Sequence, residues 1–365
     1  MVPLRYILPA VMVAAACGDD SAGSPDAVDA PAPADASVDS RPDADACTNR
    51  RPLPVEVTTL TGFASAEDFA FDTDGNYVGI NSSGDLVRIS AAGQTTLWVP
   101  GLGGGGNEGT SGVRFLPGGD LVLADIFAGT LVRVTPGGST SVYTSGLTYP
   151  NGVDVALDGT VYVADNATFQ LHRVDATTQA RTTVAGDLFS SNGVAIGPDG
   201  KIYVGSFGAG TVWEIPAGGG AARVFGTTPH SAMPSTAPCV GLADEDPCSL
   251  MDEGGQALVG VCTPGFSLGS DLMCFPTENG GLDGIAVDAC GYVYVSEYVQ
   301  GNVYRFPPTG GTPELVVQLP STWIPNMHFG AGGGFAPDVL YVADRDQGRL
   351  FGLQLGVTGA PEAFP

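Results

Sequence analysis

The chain has 365 residues, of which 54 are glycine and 28 proline, and 43% are hydrophobic. That balance suits many short strands joined by turns, and it excludes a disordered or mainly helical protein. A net charge of −25, with thirteen arginines and one lysine (Lys201) in no cluster, excludes nucleic acid as a partner and points to solubility and to cations as partners.

At the N-terminus Arg5 precedes a short apolar run, YILPAVMVAAA, and then Cys17. The run is too short to span a bilayer and predicts a signal peptide over 1–17. A cysteine directly after small residues resembles the lipobox of bacterial lipoproteins. Lipidation of Cys17, export to the cell envelope and membrane attachment through that lipid alone are therefore expected. Residues 18–54 are rich in Asp, Ala, Pro and Ser and are read as an acidic disordered tether. The six remaining cysteines, Cys47, Cys239, Cys248, Cys262, Cys274 and Cys290, form no CxxC pair. An even number in an exported chain predicts disulfides rather than a zinc site.

From 55 to 356 one pattern recurs: a polar residue, a glycine, an alternating apolar strand, a tight turn and a second strand. The clearest copies are NGVDVALDGTVYVAD from Asn151, NGVAIGPDGKIYVG from Asn192 and DGIAVDACGYVYVSE from Asp283. Their turn positions, Gly75, Gly119, Gly159, Gly200, Gly291 and Asp338, recur every 40 to 47 residues except for one gap of 91. Four strands per such period predict an all-β, six-bladed β-propeller of four-stranded blades. The strand PVEVTTLTGF ahead of the first copy is expected to complete the last blade. The long gap holds an insertion, 229–281, between blades four and five. It should form a lid over the site, stapled by Cys239, Cys248, Cys262 and Cys274 in one of three pairings. Cys47 is expected to pair with Cys290, and 357–365 to form a C-terminal tail. The protein is expected to be a monomer.

The polar residue opening each copy forms a column: Glu67, Ser111, Asn151, Asn192, Asp283 and Asn326. In a propeller these positions converge at one mouth of the axial channel. Two carboxylates with several amides and no His or Cys make a hard oxygen set suited to Ca²⁺, with Mg²⁺ or Mn²⁺ as alternatives. Turn chemistry is the competing reading, since Asn-Gly and Asp-Gly are turn formers. A second column, Asn81, Asp125, Asp165, Ser206, Glu297 and Asp344, ends the outgoing strands and offers a general base.

These copies resemble the family of senescence marker protein, regucalcin and gluconolactonase, with a Glu-Asp pair (Glu67-Asp68) closer to the paraoxonase-like arylesterases. The resemblance spans Val55 to Leu355 outside the insertion. It implies a divalent cation held by Glu67, Asn192 and Asp283, with Asn151 completing the site or touching substrate. Tyr149 stands where sugar-lactone enzymes carry a substrate-binding Arg, and the Glu-Gly-Pro opening of gluconolactonases is absent.

Other signals carry less. GLGGGG at Gly101 to Gly106 has no helix pattern after it and reads as a loop, and DTDGN at Asp72 reads as a hairpin turn. His172, His230 and His328 form no spaced set, so His328 is assigned to packing. The expected function is a calcium-type lactonase or esterase acting on a small lactone or ester, with Asp283 or Asp165 as the base. The alternative is a non-catalytic binding or scaffold propeller.

Overall fold

A computed structural model describes residues 47–364, apart from 105, 107–108, 233–234, 252–254, 265–271, 278–280 and 322. Cys17 and the region 1–46 lie outside the described residues. Six antiparallel sheets of four strands account for the repeats. Sheet one opens with the strand Phe69–Phe71, sheet two with Thr110–Phe115, sheet three with Pro150–Val155, sheet four with Ser191–Ile196, sheet five with Leu282–Val287 and sheet six with Met327–Phe329. Each opening strand touches the next, and the sixth touches the first, so the sheets form a propeller-type ring. The strand Val57–Thr61 pairs antiparallel with Arg349–Gln354, so the N-terminal strand is the outer strand of sheet six. Apolar clusters lie between successive sheets, for example Val122, Leu131, Val153 and Val163 between sheets two and three.

The polar-Gly pair has a structural cause. Four of the six opening strands break register at that pair: between Thr110 and Val113, Pro150 and Val153, Ser191 and Val194, and Leu282 and Ile285. Such a bulge lifts two residues out of the ladder and re-aims the polar side chain. The glycine is required by close approach. A Cβ on Gly152 would sit 2.3 Å from the Asn192 carbonyl oxygen, and one on Gly193 would sit 2.3 Å from that of Asp283. Each glycine thus receives the backbone of the next sheet's polar residue, which draws the column toward the axis. In the first copy Asp68 takes the glycine's place, and its carboxylate bonds the next sheet instead.

Cys47 and Cys290 form a disulfide across 243 residues of sequence. Arg50 adds a 2.7 Å ion pair to Asp288. Residues 47–54 therefore lie against the ring rather than in a free tether. Residues 357–364 also pack. Val357 is buried, the Ala360 amide donates to the Val287 carbonyl, and the Phe364 ring lies 5.0 Å from that of Phe115. Replacing Cys47 and Cys290 together with Ser should cost about 2–4 kcal/mol of unfolding free energy. Denaturant titration under non-reducing conditions reads this, and an unchanged midpoint would show that the staple adds nothing.

Between sheets four and five lies a separate three-stranded sheet, Pro247–Met251, Ala257–Pro264 and Leu272–Pro276. Disulfide Cys248–Cys274 joins its two outer strands, and Cys239–Cys262 ties the turn Ala237–Cys239 to its middle strand. The Cys239, Cys248 and Cys262 sulfurs lie close together, but as disulfide sulfurs they offer no thiolate to a metal.

Candidate metal centre

Four of the six column residues, Glu67, Asn151, Asn192 and Asp283, line one cavity of about 270 Å³ with Tyr149, Phe207 and Tyr298. The other two turn aside. The Ser111 hydroxyl donates to the Pro150 and Asn151 carbonyls, and the Asn326 amide donates to the Glu67 carbonyl. Both brace the backbone of residues that reach the cavity.

Asp283 is only 2% exposed, and its Oδ1 has no hydrogen-bond partner; nor does the Oδ1 of buried Asn192. Buried oxygens without donors are costly. Turn chemistry would have given each an amide partner, so these two orphans argue against turn formers and for an electropositive guest. Burial, then the neighbouring Glu67 and Asp68 carboxylates, push the Asp283 carboxyl well above the usual range, against the pull of Arg345 and Asn192. A divalent cation removes that repulsion and supplies both orphaned oxygens, so the donor set fits a hard ion.

Asp165 does not reach this cavity. It is buried, with Oδ2 accepting the Thr148 amide at 2.7 Å and Oδ1 the Tyr149 amide at 3.0 Å. The expected base is thus a loop brace that holds Tyr149 in place. Its column behaves alike: Ser206 bonds the Phe189 carbonyl, Asp125 the Ala128 amide and Asp344 the Ser321 hydroxyl. Of the two expected bases, Asp283 is the one that lines the cavity.

Two features escape the periodic reading. Arg345, after the strand Val339–Asp344, places Nη1 2.5 Å from Glu67 Oε2 and 3.4 Å from the Tyr298 hydroxyl. Second, His328 is packed against Phe69 and satisfied, as expected, but the partner that satisfies it belongs to a charge cluster. Asp68 Oδ1 meets His328 Nε2 at 2.7 Å, while its Oδ2 accepts Arg114 Nη1 at 2.9 Å and the Val113 amide at 2.8 Å. Burial, then Arg114, hold His328 below its ordinary value, so it is neutral near pH 7, and bonding to a carboxylate puts the proton on Nε2. Asp68 is fully engaged and is not offered to a ligand.

A larger cavity of about 380 Å³, lined by Asp154, Ile196, Val287, His328 and the tail at Gly359, lies beyond this cluster. Among the described residues its lining has no buried side-chain oxygen without a partner, which is why the smaller cavity is the candidate centre. The insertion lies beside that centre. Its Phe275 ring is against Gly208, next to Phe207, yet among the described residues none from the insertion lines the cavity. The expected lid is a flank in what is described.

The fold has known counterparts. A profile described as "SMP-30/Gluconolactonase/LRE-like region" matches residues 108–246. A gluconolactonase from Xanthomonas campestris superposes with a TM-score of 0.59 at 17% identity, covering 86% of this chain and 94% of that one. A calcium-binding regucalcin from Agrobacterium tumefaciens gives 0.54 at 15%, covering 84% and 97%. Virginiamycin B lyase from Staphylococcus aureus gives 0.51 at 13%, covering 82% and 99%. No curated protein matches by sequence. At these identities the likeness is one of fold.

Proposed function

We propose that the protein is a calcium-type, divalent-cation-dependent hydrolase of lactones or related esters. The observation that carries this reading is the pair of orphaned oxygens on Asn192 and Asp283, facing Glu67 in one cavity. Glu67, Asn192 and Asp283 would hold the ion, with Asn151 beside them. When bound, the ion supplies Lewis acidity toward a carbonyl and lowers the pKa of water. Asp283 would take the water's proton, as a carboxylate that lines the cavity beside the ion. Tyr149, Phe207 and Tyr298 would seat the substrate, and their rings favour an apolar or aromatic portion over a polyhydroxylated sugar. The likeness to a gluconolactonase and a regucalcin supports lactone chemistry and calcium.

Export as a Cys17 lipoprotein belongs to the same proposal, supported by three disulfides that require an oxidising compartment. The test is thermal unfolding with chelator and then calcium, followed by assay on a panel of lactones and aryl esters. Chelation should lower the melting temperature, calcium should restore it, and hydrolysis should follow the ion. Restoration without hydrolysis of any lactone or ester would favour the non-catalytic binding propeller.

A further inference from the structure

Arg345 is the one feature at the mouth that neither the repeat nor the ligand set calls for. Its position is fixed from several sides. The Arg345 amide donates to the Trp323 carbonyl at 3.0 Å, and the Trp323 ring stacks on Tyr298 at 5.9 Å. The preceding Asp344 is held by the Ser321 hydroxyl, the Gln347 amide and Arg349. The guanidinium is therefore aimed, and it is aimed at Glu67, with both side chains 15% exposed. No Arg or Lys is among the residues lining the cavity itself. Arg345 stands behind Glu67 and Tyr298 and still acts on Asp283, whose charge it stabilises.

We propose that Arg345 is the resident counter-cation of this centre, holding the Glu67 carboxylate until a divalent ion displaces it and so setting the affinity for that ion. The proposal rests on the cation reading above. Two carboxylates converge on a mouth of low exposure, and without a positive charge they repel each other. The guanidinium neutralises one of them at contact distance. The same contact has two consequences for an incoming ion. It occupies a Glu67 oxygen that the ion needs, and its charge repels a second cation placed nearby. The ion must then exchange with Arg345 rather than simply add to the site, which keeps binding reversible. The opposite arrangement, in which Arg345 orients Glu67 while Glu67 also ligates the ion, predicts the opposite sign, because outer-sphere partners usually strengthen metal binding.

Calcium titration calorimetry on chelator-treated parent, Arg345→Gln and Arg345→Lys separates the two. Arg345→Gln is expected to bind calcium more tightly, by roughly tenfold or more given the loss of a full charge at contact range. It should also melt lower than the parent when calcium is absent. Arg345→Lys, which keeps the charge, should stay near the parent affinity. Equal or weaker binding by Arg345→Gln overturns the proposal while leaving the cation site standing. A parent that binds no divalent ion at all overturns the cation reading and this proposal with it. If Arg345→Gln does not fold, a crystal structure of the calcium-loaded parent decides. The Arg345–Glu67 contact should be broken there, and a retained contact overturns the exchange.

Discussion

Glu67→Gln and Asp283→Asn are each expected to abolish the thermal stabilisation by calcium and to lower hydrolysis by on the order of a thousandfold. The size follows from a Lewis-acid contribution of several kcal/mol, at about 1.4 kcal/mol per tenfold. In the parent, calcium at a hundredfold excess over its Kd should add about 2.7 kcal/mol. The chelated variants give a second, oppositely signed reading. Asp283→Asn removes a buried carboxylate that is strained by its own burial and by Glu67. The ion-free Asp283→Asn protein should therefore melt no lower than the ion-free parent. A variant that still gains stability from calcium would show that the orphaned oxygens are not ligands.

Asp68→Ala should be the most destabilising single substitution, costing about 3–5 kcal/mol, because it strands a buried guanidinium. Arg114 would keep a hydrogen bond to the Val113 carbonyl but, as an ion pair, only the longer 3.4 Å contact to Asp154, and the Val113 and Phe69 amides would lose their acceptor. The pH dependence has a defined sign. Burial pushes the Asp68 carboxyl up, but Arg114 and His328 together outweigh it and leave it below its ordinary value. A depressed carboxylate adds stability above its unfolded pKa, near 4, and loses it as pH falls through the folded value. The gap between parent and Asp68→Asn should accordingly be full at pH 7 and narrow in acid below about pH 4. Denaturant unfolding across that range measures it. A gap independent of pH would mean that Asp68 acts through shape alone. An Asp68→Ala/Arg114→Met pair should lose less than the two single changes added together, since neither charge is then left without its partner.

Much of this architecture is legible in the chain because it is written locally and repeated. A polar-Gly pair seven residues before a turn glycine records a bulge and a close approach within one strand. Four such copies and two divergent ones, at Glu67-Asp68 and Asn326-Met327, specify the sheets and bring Glu67, Asn151, Asn192 and Asp283 to one mouth. What stays hidden is carried by contacts between distant residues. Arg345 and Glu67 are 278 residues apart and His328 and Asp68 are 260 apart, so no window contains both partners. The second column shows a different limit. Asp165 has the same register as its counterparts and the chemistry of a base, but register does not tell whether a carboxylate faces a cavity or a pair of backbone amides. The segments 47–54 and 357–364 lack alternation because they join no strand ladder and are held by isolated contacts such as Asp288 with Gly359.

The disulfide at Cys290 also determines how the molecule meets its surroundings. The strand Leu282–Val287 begins at the cavity with Asp283 and runs to the turn that carries Cys290, so the two lie at opposite ends of that strand. Cys47, the first described residue, is therefore held at the end of the ring opposite the cavity. A partner docked at that end would leave the mouth open to solutes arriving by diffusion.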